Sequence, residues 1–166
     1  MKTYHILIGN CEELLNAYIE VLFQEVCEGK ATVQCTRAAR LGDFVRQGCD
    51  RKFDLVIQVP HNLFPEVSAP TPMSLIGEAI RATSTIKSER PAPIITIVAP
   101  EERARYEPLL LEAGADCVLE LPFDGNELRS AVGRLLRLPA RLEHFTSKRW
   151  HFAGVLMRGL RLLTQV

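Results

Sequence analysis

The chain has no net charge, no paired cysteines and no apolar run long enough to cross a membrane. Twenty lysines and arginines balance 20 aspartates and glutamates, so nothing draws the whole molecule toward nucleic acid or an anionic surface. The five cysteines, Cys11, Cys27, Cys35, Cys49 and Cys117, are odd in number and far apart, with no Cys-x-x-Cys pair among them. Neither a disulfide framework nor a zinc site is built on that spacing. They are expected to be small apolar residues in a reducing, cytoplasmic setting. No stretch approaches the roughly 20 apolar residues that span a bilayer, and Met1–Tyr4 leads straight into an apolar strand pattern without the layout of a signal peptide. GxGxxG, GxSxG and P-loop motifs are missing. The histidines, His5, His61, His144 and His151, stand at no metal-ligand spacing from a second ligand. What the chain does have is 47% hydrophobic residues in a length of 166, enough for one core without disulfides or metals.

Periodicity then orders the chain. His5–Ile8 is a short buried-strand pattern ending at Gly9. Asn10 and Glu13 form a capping-box spacing before a helix that carries Leu14, Leu15, Tyr18, Ile19, Leu22 and Val26 at helical spacing and stops at Gly29. Ala31–Thr36 reads as a second strand, and Ala38–Arg51 as a second helix weakened by Gly42 and Gly48. Phe53–Val59 is almost continuously apolar, as befits a strand covered on both faces. A proline-rich loop follows from Pro60 to Pro72, then a helix carrying Leu75, Ile76, Ala79, Ile80, Thr83 and Ile86. Ile94–Ala99 is the fourth strand. Glu101–Ala113 is a helix interrupted near Pro108. Asp116–Leu121 is the fifth strand, and Asp124 with Glu127 caps a last helix, with Phe123 and Leu128 as a hydrophobic staple. Strand and helix alternate five times, which implies an α/β fold with a doubly wound, five-stranded parallel sheet in the flavodoxin-like order 2-1-3-4-5.

Several of these segments resemble response-regulator receiver (CheY-like) domains. Gly114–Asp124, GADCVLELPFD, is similar to the GADDYLTKPFD that typically ends such domains. Pro93–Ala99 resembles their PIIVLTA, Asp54–Ile57 their DLVLLD, and Ile6–Ile8 their ILIVDDE. The resemblance covers roughly residues 3–137. It implies a domain in which one aspartate accepts a phosphoryl group beside Mg²⁺. It also implies which positions would do so here: the acidic pair falls on Asn10 and Cys11, the acceptor on Val59, the hydroxyl on Val98, the lysine on Leu121 and the switch aromatic on Val118. Each of these departs from the pattern. Mg²⁺ takes oxygen ligands, usually carboxylates, and phosphoryl transfer depends on cations positioned around the phosphate. The expectation is a degenerate, phosphorylation-independent pseudo-receiver, neither an enzyme nor a cofactor binder, that works through a protein partner. Glu12 and Glu13 are the neighbouring acids, expected to serve the helix N-terminus.

Residues 1–138 are read as the receiver-like domain and 139–166 as a helical extension. The extension carries Arg141, Lys148, Arg149, Arg158 and Arg161 against Glu143, five minus one or +4, which leaves −4 on the rest. Ser147 opens an amphipathic helical pattern through Val166. Trp150, Leu156, Leu160 and Leu163, with Arg158 and Arg161, are its candidate interaction residues. Packing onto its own domain, homodimerisation, another protein and a membrane surface all remain open for it. Nucleic acid is disfavoured, since no helix-turn-helix or long basic stripe accompanies it. The alternative function is a small-ligand-binding or catalytic flavodoxin-like domain with its site at the strand ends, near Asn10, His61 and Glu101.

Overall fold

The structure, a computed structural model, describes residues 2–27, 31–63 and 72–138, with the side chains of 72–74 left aside. The candidate interaction residues Trp150, Leu156, Arg158, Leu160, Arg161 and Leu163, and Pro65 and Pro70 of the proline-rich loop, lie outside these residues.

Strands β1 (Lys2–Gly9), β2 (Ala31–Ala38), β3 (Leu55–Gln58), β4 (Ile94–Val98) and β5 (Cys117–Glu120) form one parallel sheet in the order β2-β1-β3-β4-β5. Helices α1 (Glu13–Cys27) and α6 (Gly125–Leu135) cover one face. Helices α2 (Leu41–Asp50), α4 (Pro72–Glu89) and α5 (Pro100–Glu112) cover the other, with the short α3 (Pro60–Leu63) at the end of β3. The side-chain period of two sorts the strands cleanly. Ile6, Ile8, Leu55, Ile57, Val59, Ile95, Ile97 and Leu119 face α1 and α6. Leu7, Val56 and Ile94 face α2 and α4, and Val98 and Val118 face α4 and α5. The expected fold class and strand order are therefore those observed.

Boundaries moved where tertiary bonds outweigh local signals. β2 runs on to Ala38, because Ala38 pairs with Gly9 along the β1 ladder; the second helix accordingly starts at Leu41, not Ala38. Pro60 opens α3, where its fixed φ suits a first helical turn. Helix α5 passes through Pro108 without a break; this proline is exposed, so the carbonyl that loses its partner is left to water. Asp124 caps α6 through the Asn126 N–H, 3.0 Å away, and not through Glu127. The Phe123 and Leu128 staple is buried in one cluster.

Two aspartates lock the sheet at the edge where the strands begin. Asp54 Oδ2 accepts the His5 N–H at 2.8 Å, and Asp116 Oδ2 accepts the Ile94 N–H at 2.7 Å and the Lys87 Nζ at 2.7 Å. Each stands just ahead of its own strand and satisfies an amide of a neighbouring one, that of His5 within β1 and that of Ile94 at the start of β4, so both fix register.

The two α2 glycines differ. A Cβ on Gly48 would lie 2.7 Å from Ile86 Cδ1, so Gly48 is what lets α2 approach α4; a Cβ on Gly42 meets nothing within 4 Å among the described residues. Gly48→Ala is expected to cost about 1–3 kcal/mol through overpacking, whereas Gly42→Ala is expected to be neutral or to stabilise by up to about 1 kcal/mol. Urea unfolding of the two variants checks the contrast; equal effects would show that α2 packing tolerates either side chain.

Candidate functional site

Ligands in open parallel sheets bind beyond the strand C-termini, where the order reverses. Here that point lies between β1 and β3, and the loops that follow the two strands meet there. The Val59 N–H donates to Gly9 O at 2.9 Å, and the Cys11 N–H donates to Asn62 O at 3.0 Å. The crevice is thus bridged by backbone hydrogen bonds.

Asn10 is buried at its root. Its Nδ2 donates to Glu12 O at 2.9 Å and to Asn16 Oδ1 at 3.0 Å. Its Oδ1 accepts the Glu12 N–H at 3.3 Å, and its carbonyl accepts the Asn16 Nδ2 at 3.2 Å. The expected reciprocal box with Glu13 is not the arrangement found: the Asn10 N–H goes to Ala38 O at 3.0 Å. A buried backbone donor satisfied by the sheet edge has no need of a side chain, and Asn10 turns to Asn16 instead.

The remaining positions divide between core and surface. Val59 and Val98 are fully buried, on opposite faces of the sheet. Val118 packs in the same cluster as Val98, with Ile76, Tyr106 and Leu110. Leu121 is half-buried against the α1/α6 core, next to a cis peptide bond to Pro122. Cys11 is exposed. Burial pushes the thiols of Cys35 (to about 12) and Cys117 up.

Polar chemistry at this rim comes from a pair that the sequence did not single out. His61 Nε2 lies 2.6 Å from Glu102 Oε2, which also accepts the Ala99 N–H at 3.4 Å. The Glu102 side chain is 5% exposed and that of His61 31%; Glu102 Oε1 has no partner among the described residues. The pair ties α3 to α5. His61 was one of three residues named for a strand-end site, but its carboxylate partner is Glu102, while Glu101 points to solvent and Asn10 is committed to Asn16. A second buried group lies one step inside: Gln58 Nε2 donates to Thr83 Oγ1 at 2.6 Å and Thr96 Oγ1 at 2.8 Å, joining β3, β4 and α4.

No family model matches the chain, and no curated protein matches its sequence. Solved structures do. The receiver domain of a sensor histidine kinase from Pseudomonas aeruginosa, solved with magnesium coordinated in its active-site cleft, superposes with a TM-score of 0.60 at 19% identity, over 81% of this chain and 98% of that one. The receiver domain of NtrX from Brucella abortus does so with 0.58 at 18% identity, over 81% and 99%. The chain has the receiver fold. A third match, described as a CpaE2 pilus assembly protein, from Sinorhizobium meliloti, has a TM-score of 0.58 at 16% identity over 79% and 98%.

The residues of this receiver fold do not fit the magnesium that the fold brings to mind. Mg²⁺ needs near-octahedral oxygen donors. Asn10 has spent its side chain on Asn16 and Glu12, Cys11 offers sulfur, and Val59 offers nothing. No cluster of three His, Cys, Asp or Glu side chains stands ready for a metal among the described residues. Glu12 is the nearest acid, and burial alone pushes its carboxyl above the ordinary range, with no cation to offset it.

Restoring an acid here is therefore expected to damage the fold. In Asn10→Asp the carboxylate would face Glu12 O and Asn16 Oδ1, two acceptors that now receive N–H groups. The predicted loss is about 2–3 kcal/mol at pH 7, larger than for a neutral unsatisfied group, and Mg²⁺ is expected to recover none of it. Thermal melts with and without millimolar Mg²⁺ check this; a Mg²⁺-dependent gain in melting temperature would show that the loop can rearrange into a metal site.

Proposed function

We propose that this chain is a pseudo-receiver: a phosphorylation-independent signalling or regulatory module that acts in the cytoplasm by binding another protein, with no catalytic step of its own. The single observation that carries the reading is Val59, an apolar side chain fully buried at the end of β3, where a receiver would present its acceptor aspartate. The other departures support it. A phosphoryl group at this rim would meet Val98 and Leu121 in place of a hydroxyl and a cation, and a dianion facing apolar walls is strongly disfavoured.

A protein partner belongs to this reading by analogy with the receiver domains that share the fold. Among the described residues no helix is long and apolar enough to cross a membrane, and the rim has no glycine-rich loop for a nucleotide. The fold itself is found both in receiver domains and in a chain described as a pilus assembly protein, so the scaffold serves more than one kind of assembly. A conformational change coupled through Val98 and Val118 has no polar group to drive it, since both pack in one apolar cluster. Signalling would depend on which surfaces are occupied.

Intact-mass measurement after incubation with acetyl phosphate and Mg²⁺ tests the proposal. The expected spectrum shows the unmodified chain alone. A stoichiometric phosphoryl adduct removed by hydroxylamine would overturn it, because it would reveal an acyl-phosphate site elsewhere on the rim.

A further inference from the structure

Helix α1 presents an apolar stripe to the outside. Leu14 is 56% exposed and Val21 49%, and exposed Ala17 lies between them at i+3, so the three share one face. The opposite face of the same helix, with Leu15, Ile19, Leu22 and Phe23, is already seated in the core. A surface helix normally has one apolar side; this one has a second.

We infer that the segment 139–166 of the same chain covers this stripe, packing against Leu14, Ala17 and Val21 of α1. Three observations favour this occupant. The first is where the described chain ends. Helix α6 finishes in a left-handed turn at Arg137 (φ 53°), the Leu138 N–H returns to Gly133 O at 2.9 Å, and Leu138 packs against the cluster that holds the inner face of α1. The segment thus departs beside α1. The second is reach. Tyr4 Oη, at the start of β1, contacts Leu136 O, so the departure point is at the strand-start edge, where α1 also ends. The residues from Ser147 to Val166, if helical, would extend about 30 Å at 1.5 Å per residue, longer than the 15 residues of α1, with eight linking residues before them. The third is charge. The segment carries +4 and the remainder −4. Helix α1 has acidic residues and no basic one; Arg37 holds Glu20 and Arg129 holds Glu25, but Glu12 and Glu13 form no ion pair among the described residues. The basic residues of the segment would complete them, while Leu156, Leu160 and Leu163, at i, i+4 and i+7, would supply an apolar ridge. The contact is independent of phosphoryl chemistry and would let a partner be recognised by displacing the chain's own cover.

Amide hydrogen exchange on the full chain tests this, at a concentration where light scattering reports a monomer. The amides of α1 from Ala17 to Gln24 are expected to be protected in the parent and to exchange at least tenfold faster in Leu156→Asp/Leu160→Asp. Leu14→Glu/Val21→Glu is expected to red-shift the emission of Trp150, the only tryptophan, while the circular dichroism of the α/β body is retained. Unchanged α1 exchange in the segment variant would overturn the inference. So would protection that fades on dilution as a dimer dissociates, which would place a second copy's segment on the stripe, or protection that appears only with anionic lipid vesicles.

Discussion

The seam between β1 and β3 is the joint on which the rest of the structure hangs. It lies at the centre of the sheet and at its point of reversal, and it is closed at both ends. At one end Asp54 accepts the His5 amide while its own N–H returns to His5 O. At the other, Val59 donates to Gly9 O and Cys11 to Asn62 O. Between them runs a parallel ladder whose side chains are buried on both faces. A parallel sheet has no solvated face on which an error of register can hide, so two polar clamps bracketing this ladder position everything built outward from it. The loops after β1 and β3, where a ligand would sit in another sheet of this order, are held by the same bonds.

That closure has an electrostatic logic. A cluster of carboxylates at one rim is costly without a cation, because like charges a few ångströms apart cannot all remain ionised and desolvated. In this chain the neutral Asn10–Asn16 pair satisfies its own donors and acceptors, and valines fill the neighbouring strand ends. The exception is Glu102. It is buried with one oxygen bound to His61 and the other without a partner among the described residues, which is the arrangement in which losing a partner costs most. A buried ion-pair-like contact of that kind is weak evidence for stability, but it does specify geometry: it fixes the start of α5 against α3.

Much of this was legible in the amino-acid order. Strands covered on both faces read as apolar runs, and β3 and β4 are such runs; strand order followed from the alternation with helices. What sequence reasoning missed shares one cause, which is that the partners come from distant elements. Gln58 looks like an interruption in an apolar strand until Thr83 of α4 and Thr96 of β4 are brought beside it. His61 has no ligand spacing, and its partner lies 41 residues away. Gly48 reads as a weak point of a helix, although its lack of a side chain is what admits Ile86. The Asn10 capping box failed for the same reason, since Ala38 O, contributed by the edge strand, claimed the amide first. A signal was present for Glu102: an acid in the first turn of a helix, three residues after the Ala99 amide, is placed to reach back to that amide.

Asp54 and Asp116 show how a resemblance can be correct about fold and silent about chemistry. Both belong to the segments that most resemble receiver domains, and both are acids, yet they stand at the strand-start edge, across the full length of the sheet from the rim where catalysis would take place. Their work is to satisfy amides and hold register. The residues that preserve the receiver fold are therefore physically separate from those that would give it phosphoryl chemistry. A chain can keep the first set intact while every member of the second is replaced, because the two sets stand at opposite ends of the strands and the bonds that Asp54 and Asp116 make go to His5, Lys87 and Ile94, none of them at the rim. On the proposed reading, function in such a chain passes from the rim to the outer faces of its helices. Those faces are free to vary without disturbing either clamp.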